Sequence, residues 1–260
     1  MLQPNDMQVG FIRNLRQIIK SGEKRALLIS ATGTGKTYAS AFAMRELGFK
    51  RVLFLVHRGQ LARQTKQSYE RVFGSDVSMG LVGAGYHEYD NNYVFATIQT
   101  LNRERHLTNY KPDDFDCIIL DEAHHSSADT YQKVMNYFEP KLWLGMTATP
   151  DKRDDDDTNK NIYEIFHYQV AYEIRLQQAM EENMLCPFHY FGISEISIVD
   201  EKTLKARKMS ARDFSQLVSD ERVKHIIEQA EYYGYSGERV KGLVFCSRVE
   251  ESKELSNKFK

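Results

Sequence analysis

Two short stretches hold residue types that could do phosphate chemistry. In ALLISATGTGKT (26–37) an apolar run leads into Thr32, Gly33, Thr34 and Gly35, and Lys36-Thr37 opens a helical pattern. Glycines at such a turn let backbone N–H groups close on phosphate oxygens, and a helix N-terminus adds positive potential. Lys36 would then reach the β- and γ-phosphates while the Thr37 hydroxyl ligates Mg²⁺. Ser30 stands where the general pattern of this loop has glycine. In IILDEAHH (118–125) a second apolar run ends in two acids. A buried strand would deliver Asp121 and Glu122 to the C-terminal edge of a sheet, where ligands of open α/β folds bind. Asp121 would hold Mg²⁺, usually through water, and Glu122 would orient and deprotonate an attacking water. His124 and His125 do not read as zinc ligands, since adjacent side chains point apart and no further ligand spacing accompanies them.

The rest of the chain supplies elements to position these groups. Phe11, Ile12, Leu15, Ile18 and Ile19 recur at helical spacing ahead of the glycine turn. Strands are expected at 26–30, 52–56, 93–96, 117–120 and 142–146, with helices from Tyr38 to Leu47 and through Leu61, Tyr69 and Phe73. Continuous apolar strands alternating with helices predict an α/β fold, a parallel sheet with helices on both faces. The acidic DKRDDDDTNKN (151–161) reads as a solvated loop. After it come a helical pattern from Ala171 to Asn183, a strand in CPFHYFGI (186–193) and a polar stretch (194–219). A helix through Val223, Ile226 and Ile227 follows, then a buried strand in GLVFC (242–246). Tyr232, Tyr233 and Tyr235 read as core positions of that helix.

Lys+Arg of 35 against Asp+Glu of 36 leaves no broad basic field, so any nucleic-acid surface must be local. Cys117, Cys186 and Cys246 lie far apart without CxxC spacing, which fits a reducing, cytoplasmic setting. The longest apolar runs have the length of strands, too short to cross a bilayer, and the N-terminus carries no secretory pattern. No membrane association is expected.

GTGKT, then DEAH, then MTATP (146–150), in that order, resembles a superfamily 2 helicase of the DEAH-box type. More narrowly, the chain is similar to the helicase subunits of type III restriction enzymes and their bacterial relatives. The resemblance covers nearly the whole chain and implies a RecA-like P-loop NTPase that uses ATP and Mg²⁺. It implies a first RecA-like domain over 1–168, then a linker and the incomplete start of a second over 169–260. GLVFCSRVEE (242–251) resembles the opening strand of that second domain. Gln8 falls where the family has a glutamine that reads adenine. Thr147 and Thr149 fall in the motif that couples the nucleotide site to nucleic acid. His124 fits the same coupling, touching either the γ-phosphate side or the threonines.

LVHRGQLARQ (55–64) resembles the family's first nucleic-acid motif, with Arg58 and Gln64 as candidate contacts. ATIQTL (96–101) resembles the second, with Thr97 and Gln99 as candidates, and Gly83 and Gly85 in VGAG would let a phosphate approach closely. Such contacts go to phosphate and sugar, so little sequence specificity is expected. The activity implied is an ATP-dependent helicase or translocase acting on DNA rather than RNA. Relatives often carry a nuclease domain or subunit, and none is visible in these residues. The arginines that face the γ-phosphate lie further along in relatives, so slow hydrolysis by this chain alone is expected. Two other readings stay open: a duplex translocase that does not unwind, and a nucleotide-dependent binding module with negligible turnover. The Asp121-Glu122 pair speaks against the second. A P-loop phosphotransferase would need an acceptor site that the sequence does not show.

Overall fold

The computed structural model describes residues 2–150, 161–192, 211–235 and 237–259. The acidic run at 151–160 and most of the polar stretch after 193 lie outside the described residues.

The chain opens with α1 (Asp6–Lys20), capped by Asn5. Asn5 Oδ1 accepts from the Gln8 N–H at 2.9 Å, and the Asn5 N–H donates to Gln8 Oε1 at 3.0 Å. This reciprocal pair satisfies two donors that a helix start would otherwise leave open. Met7, Phe11, Ile12 and Leu15 bury one stripe of the helix. Then come β1 (Arg25–Ser30), α2 (Lys36–Leu47), β2 (Val52–Val56), α3 (Gly59–Phe73), β3 (Met79–Gly83) and β4 (Tyr86–His87). They are followed by β5 (Tyr93–Thr97), α4 (Ile98–Leu101), α5 (Glu104–Leu107), β6 (Cys117–Asp121) and α6 (Asp129–Tyr137). The first compact unit closes with β7 (Leu142–Thr147), α7 (Ile162–Ile165), β8 (Val170–Ile174) and α8 (Leu176–Glu181).

The eight strands form one sheet in the order β4-β3-β5-β2-β6-β7-β1-β8. Every neighbouring pair is parallel except β3–β4. The central strands are apolar throughout because both faces are covered. Alternate residues feed two separate cores. Ala26 and Leu28, Val52 and Phe54, Ile119, and Leu144 and Met146 pack with Phe11, Phe42 and Tyr69 of α1, α2 and α3. Leu27 and Ile29, Leu53 and Leu55, Ile118 and Leu120, and Trp143 pack with Leu101, Tyr131, Val134 and Phe166 on the other side. Each large side chain so buried contributes about 1.5–3 kcal/mol. Gly145 in β7 leaves room for that second core: a Cβ there would come 2.6 Å from Phe166 Cζ and 2.8 Å from Leu27 Cδ2.

Three stretches differ from expectation. The helical pattern from Ala171 to Asn183 is in fact the parallel edge strand β8 followed by the short α8, so the first unit continues past residue 168 to Pro187. Pairing with the exposed edge of β1 overrides local helical periodicity there. β3 and β4 carry no continuous apolar run. They add at the opposite edge, where β3 buries only alternate residues. In the second unit, Phe188–Lys260, no strand is present among the described residues. Neither 186–192 nor 242–246 is a strand, and Leu243 and Phe245 are exposed. A strand needs a neighbour for its N–H and C=O groups, and the described part of this unit offers only helices. These are α9 (Ala211–Leu217), α10 (Asp220–Tyr233) and α11 (Val249–Lys258). Their small core holds Leu217, Val218, Val223 and Leu255, whereas Tyr232, Tyr233 and Tyr235 are exposed; Phe191 stacks on Tyr233 at 4.1 Å.

Candidate nucleotide and nucleic-acid sites

The glycine turn lies between β1 and α2 at the C-terminal edge of the sheet. Gly33 and Gly35 have φ of 92° and 90°, a conformation that side chains with a Cβ rarely adopt. Ser30, the departure from the loop pattern, has a structural use. Thr34 is buried and gives its hydroxyl proton to Ala31 O at 2.7 Å, so the Ser30 hydroxyl is the donor in the Ser30–Thr34 pair. Glycine at 30 would leave Thr34 without that donor. Thr34 thus braces the loop from inside, while Thr32 and Gly33 face outward. Lys36 bends back over the turn, its Nζ donating to Ser30 O at 2.9 Å and Ala31 O at 3.4 Å. Burial pushes the Lys36 pKa down, and Asp121 and Glu122 pull it back up. The parallel order β6-β7-β1 is what brings residues from both motifs to one edge. Thr37, half-buried at the start of α2, completes the set that could meet a phosphate-bound cation.

Asp121 ends β6, and burial, then the Glu122 charge, raise its pKa to about 6. The Glu122 N–H and Lys36 work in the other direction. Glu122 itself has φ 51° and ψ 47°, left-handed backbone in a residue other than glycine. Such a conformation costs roughly 1–3 kcal/mol and persists where the surroundings enforce it. Here the Glu122 N–H is held by Asp121 Oδ1 at 3.1 Å, and Ala123–His125 form a 3₁₀ turn. His124 Nδ1 lies 2.9 Å from Thr147 Oγ1 and 3.4 Å from Glu122 Oε2, so one imidazole joins the acid to the end of β7. Thr147 Oγ1 also accepts from the Thr149 N–H at 3.1 Å. The His124 and His125 rings lie 4.1 Å apart rather than pointing apart, because the 3₁₀ turn tightens their spacing. Among the described residues no cluster of three or more His, Cys, Asp or Glu gathers for a metal.

Gln8 is nearly buried, with Oε1 committed to the Asn5 N–H. A Cβ on Gly35 would come 3.3 Å from Gln8 Nε2, so the amide abuts the glycine turn.

On the other half of the edge a cleft of about 330 Å³ opens at the ends of β2, β3 and β5. His57, Arg63, Gly83, Tyr86, Thr97 and Gln99 line it. Of the sequence candidates, Gly83, Thr97 and Gln99 are therefore together, and Arg58 and Gln64 are not among its walls. Arg58 is the N-cap of α3, its carbonyl accepting from Leu61 and Ala62, and Gln64 is exposed along the helix. Thr97 caps α4, accepting from the Thr100 N–H at 3.1 Å. The glycines of VGAG have a structural role: Gly83 pairs with Tyr86 across a two-residue hairpin. Its central residues, Ala84 and Gly85, have φ of 51° and 91°, the sign a type I′ turn requires. His57, Arg63 and Tyr86 escaped sequence reasoning. Arg63 had a signal, because it follows Gly59 by four residues and shares its helix face. Gln99 Nε2 meets His57 Nδ1 at 3.3 Å, and the His57 ring stacks on His125 at 5.7 Å. Rings thus run from the cleft to the Glu122 turn.

No helix among the described residues is long and apolar enough to cross a membrane. The family described as "Type III restriction enzyme, res subunit" matches residues 1–152. The chain is 24% identical to the type I restriction enzyme EcoAI endonuclease subunit of Escherichia coli, over 97% of this chain and 33% of that protein. It is 27% identical to the DNA 3'-5' translocase XPB2 of Sulfurisphaera tokodaii, over 60% of this chain and 33% of that one. The chain spans about a third of the length of these curated relatives. A nuclease-deletion mutant of the Type ISP restriction-modification enzyme LlaGI, solved with a DNA substrate mimic, superposes with a TM-score of 0.55. It is 19% identical over 88% of this chain and 23% of that chain, a likeness of fold.

Proposed function

This chain belongs to the family of type III restriction enzyme res subunits, and from that premise we propose that it is the nucleotide-binding part of an ATP-dependent helicase or translocase acting on DNA. The observation that carries the reading is geometric: Lys36 at the start of α2 after β1, and Asp121 and Glu122 at the end of β6, distant in sequence, lie at one edge of the sheet, where β7 alone separates β1 from β6. ATP would lie with its phosphates on the N–H groups of the Gly33–Thr37 turn. Mg²⁺, held by Thr37 and Asp121 together with the phosphates, would neutralise charge on the transferring group. Lys36 would exchange its two carbonyl partners for phosphate oxygens. Glu122 would take the proton of the attacking water, and its strained backbone would hold the carboxylate facing that water. The Gln8 amide would read the base from beside Gly35.

The strand would cross the cleft at Thr97 and Gln99, with Arg63 on its phosphates, and Arg58 and Gln64 would add contacts from the start of α3. DNA is favoured by the relatives, one named as a DNA translocase and one solved with a DNA mimic. His124, between Glu122 and Thr147, would couple the two sites, with Thr149 following Thr147. Residues 188–259 would belong to a second RecA-like domain.

Single-turnover ATP hydrolysis with Mg²⁺ tests the assignment. Hydrolysis by the chain should be measurable. Glu122→Gln should lower it by about 100-fold or more while ATP affinity stays within about twofold. Hydrolysis undiminished in that variant would remove Glu122 as the base.

A further inference from the structure

Beside the β3–β4 hairpin, next to the cleft at Thr97 and Gln99, lies a second recess of about 310 Å³. It shares Gly83, Ala84 and Thr100 with the cleft. Its remaining walls include His87, Tyr89, Arg103, Arg105 and His106, and no acidic side chain is among them. Neither arginine joins an ion pair with any described residue. Two exposed arginines on one polar recess whose walls carry no carboxylate make it a place that suits an anion.

Arg105 is held in place. Its Nε–H donates to His106 Nε2 at 3.2 Å, so the ring proton of His106 sits on Nδ1. That nitrogen donates to Tyr89 Oη at 2.7 Å, and the Tyr89 hydroxyl lies 3.4 Å from His87 Nδ1. His106 is only 4% exposed. Burial, then Arg105, His87 and Arg103, hold its pKa down, so the ring stays neutral and able to accept. A buried neutral imidazole with both nitrogens engaged is an orienting group. It fixes the guanidinium by Nε and leaves the two terminal nitrogens free for a planar pair of oxygens.

We propose that the Arg103–Arg105 recess is a second phosphate subsite that grips one phosphodiester group of the strand after it crosses the hairpin from the Thr97–Gln99 cleft. His106 acts there as a positioning residue for Arg105. This inference rests on the strand-binding reading above. The shared wall at Gly83 and Ala84 makes the two recesses consecutive stations, and the methyl of Ala84 and the bare Cα of Gly85, with open space beside it, let the backbone of the strand pass close. A phosphodiester fits better than a base, because the His87, Tyr89 and His106 rings already stack on one another while the arginines offer donors and charge.

The test is binding of a mixed-sequence single-stranded DNA oligonucleotide to the whole chain across a range of KCl concentrations. Arg103→Gln combined with Arg105→Gln should flatten the dependence of log affinity on log salt by about 0.7, the slope of one phosphate contact on a single strand. Affinity should fall alike for an unrelated sequence. His106→Ala should weaken binding as much as Arg105→Gln does, and adding His106→Ala to Arg105→Gln should weaken it no further. In the wild type the His106 ring resonance should shift with the oligonucleotide and not with inorganic phosphate. An unchanged salt slope in the double variant would overturn the subsite. So would a His106 shift with phosphate alone, which would mark a site for the free ion. If Gln99→Ala weakens strand binding while the arginine variant does not, the subsite fails and the strand-binding reading stands. If neither weakens it, both fail.

Discussion

The C-terminal edge of one sheet carries two halves of different construction. The β6–β7–β1 half gathers Asp121, Glu122, Thr147 and the Lys36 turn, each at the end of a central strand buried on both faces. The β4–β3–β5–β2 half builds its cleft from a hairpin turn, a helix cap and the outward face of α3. On the first half, catalysis as proposed would follow from strand ends, which are rigid and hold side chains to the tolerance such chemistry demands. On the second, the proposed contacts would come from loops and helix surfaces, adequate for tracking a charged backbone that presents the same groups at each step. The two halves meet at β2 and β6, where His57 stacks on His125.

The largest effect that separates the halves should come from Lys36→Ala. Removing the only side-chain cation of the glycine turn should weaken ATP binding about 10- to 100-fold, the loss of a hydrogen bond to a charged group. Affinity for single-stranded DNA in the absence of nucleotide should stay the same. Calorimetry with ATP and with an oligonucleotide checks both. Equal ATP affinity in wild type and variant would remove the turn as the phosphate cradle, and a parallel fall in DNA affinity would erase the division between the halves.

A smaller effect is expected from the cleft. Gln99→Ala and Arg63→Ala should each weaken strand binding several-fold, about 1 kcal/mol for one polar contact, and equally on unrelated sequences. ATP affinity should not change. Fluorescence anisotropy with two oligonucleotides of different sequence measures this. Loss confined to one sequence would replace backbone tracking with base reading.

The halves also differ in how much of each could be read from residues alone. ISATGTGKT and IILDEAHH are contiguous, and each local pattern (apolar strand, then special backbone, then charged group) agrees with the fold around it. Those strands were therefore legible, and so was the placement of Lys36, Asp121 and Glu122 at strand ends along one sheet edge. The cleft draws on four separate elements, and no local pattern marks Tyr86 or His57 as its walls. Gly83 and Gly85 also build a hairpin that no local pattern announces, so their conformations have a structural use beside the one read from sequence. β8 was missed because an edge strand beside a paired neighbour needs little apolar sequence of its own. The same physics works in reverse for GLVFC. Its composition suits a buried strand, yet among the described residues it has no partner to pair with.

The smallest expected effect lies at the opposite end of the β2–β6 junction. Asp116, just before β6, accepts the N–H groups of Lys50 and Arg51 at 2.9 Å each through Oδ2, while Lys141 Nζ reaches Oδ1 at 2.7 Å. One carboxylate therefore ties the chain entering β2 to the chain entering β6, joining the halves at the edge away from both sites. Burial alone would raise the Asp116 pKa, but Lys141 and the two backbone donors outweigh it and hold the group below its ordinary value. A carboxyl whose native pKa is depressed adds stability above its unfolded pKa, near 4, and loses it as pH falls through the native value. Asp116→Asn keeps an acceptor and removes the charge, so it should cost about 1–2 kcal/mol at pH 7. The gap between wild type and variant should close as the pH drops below about 4. Urea unfolding of both proteins from pH 7 to pH 3 follows it. A gap that persists unchanged at low pH would show that the junction depends on the shape of the side chain and not on its charge. ATP and strand affinities should be untouched at neutral pH, because the tie lies at the end of the sheet that neither site uses.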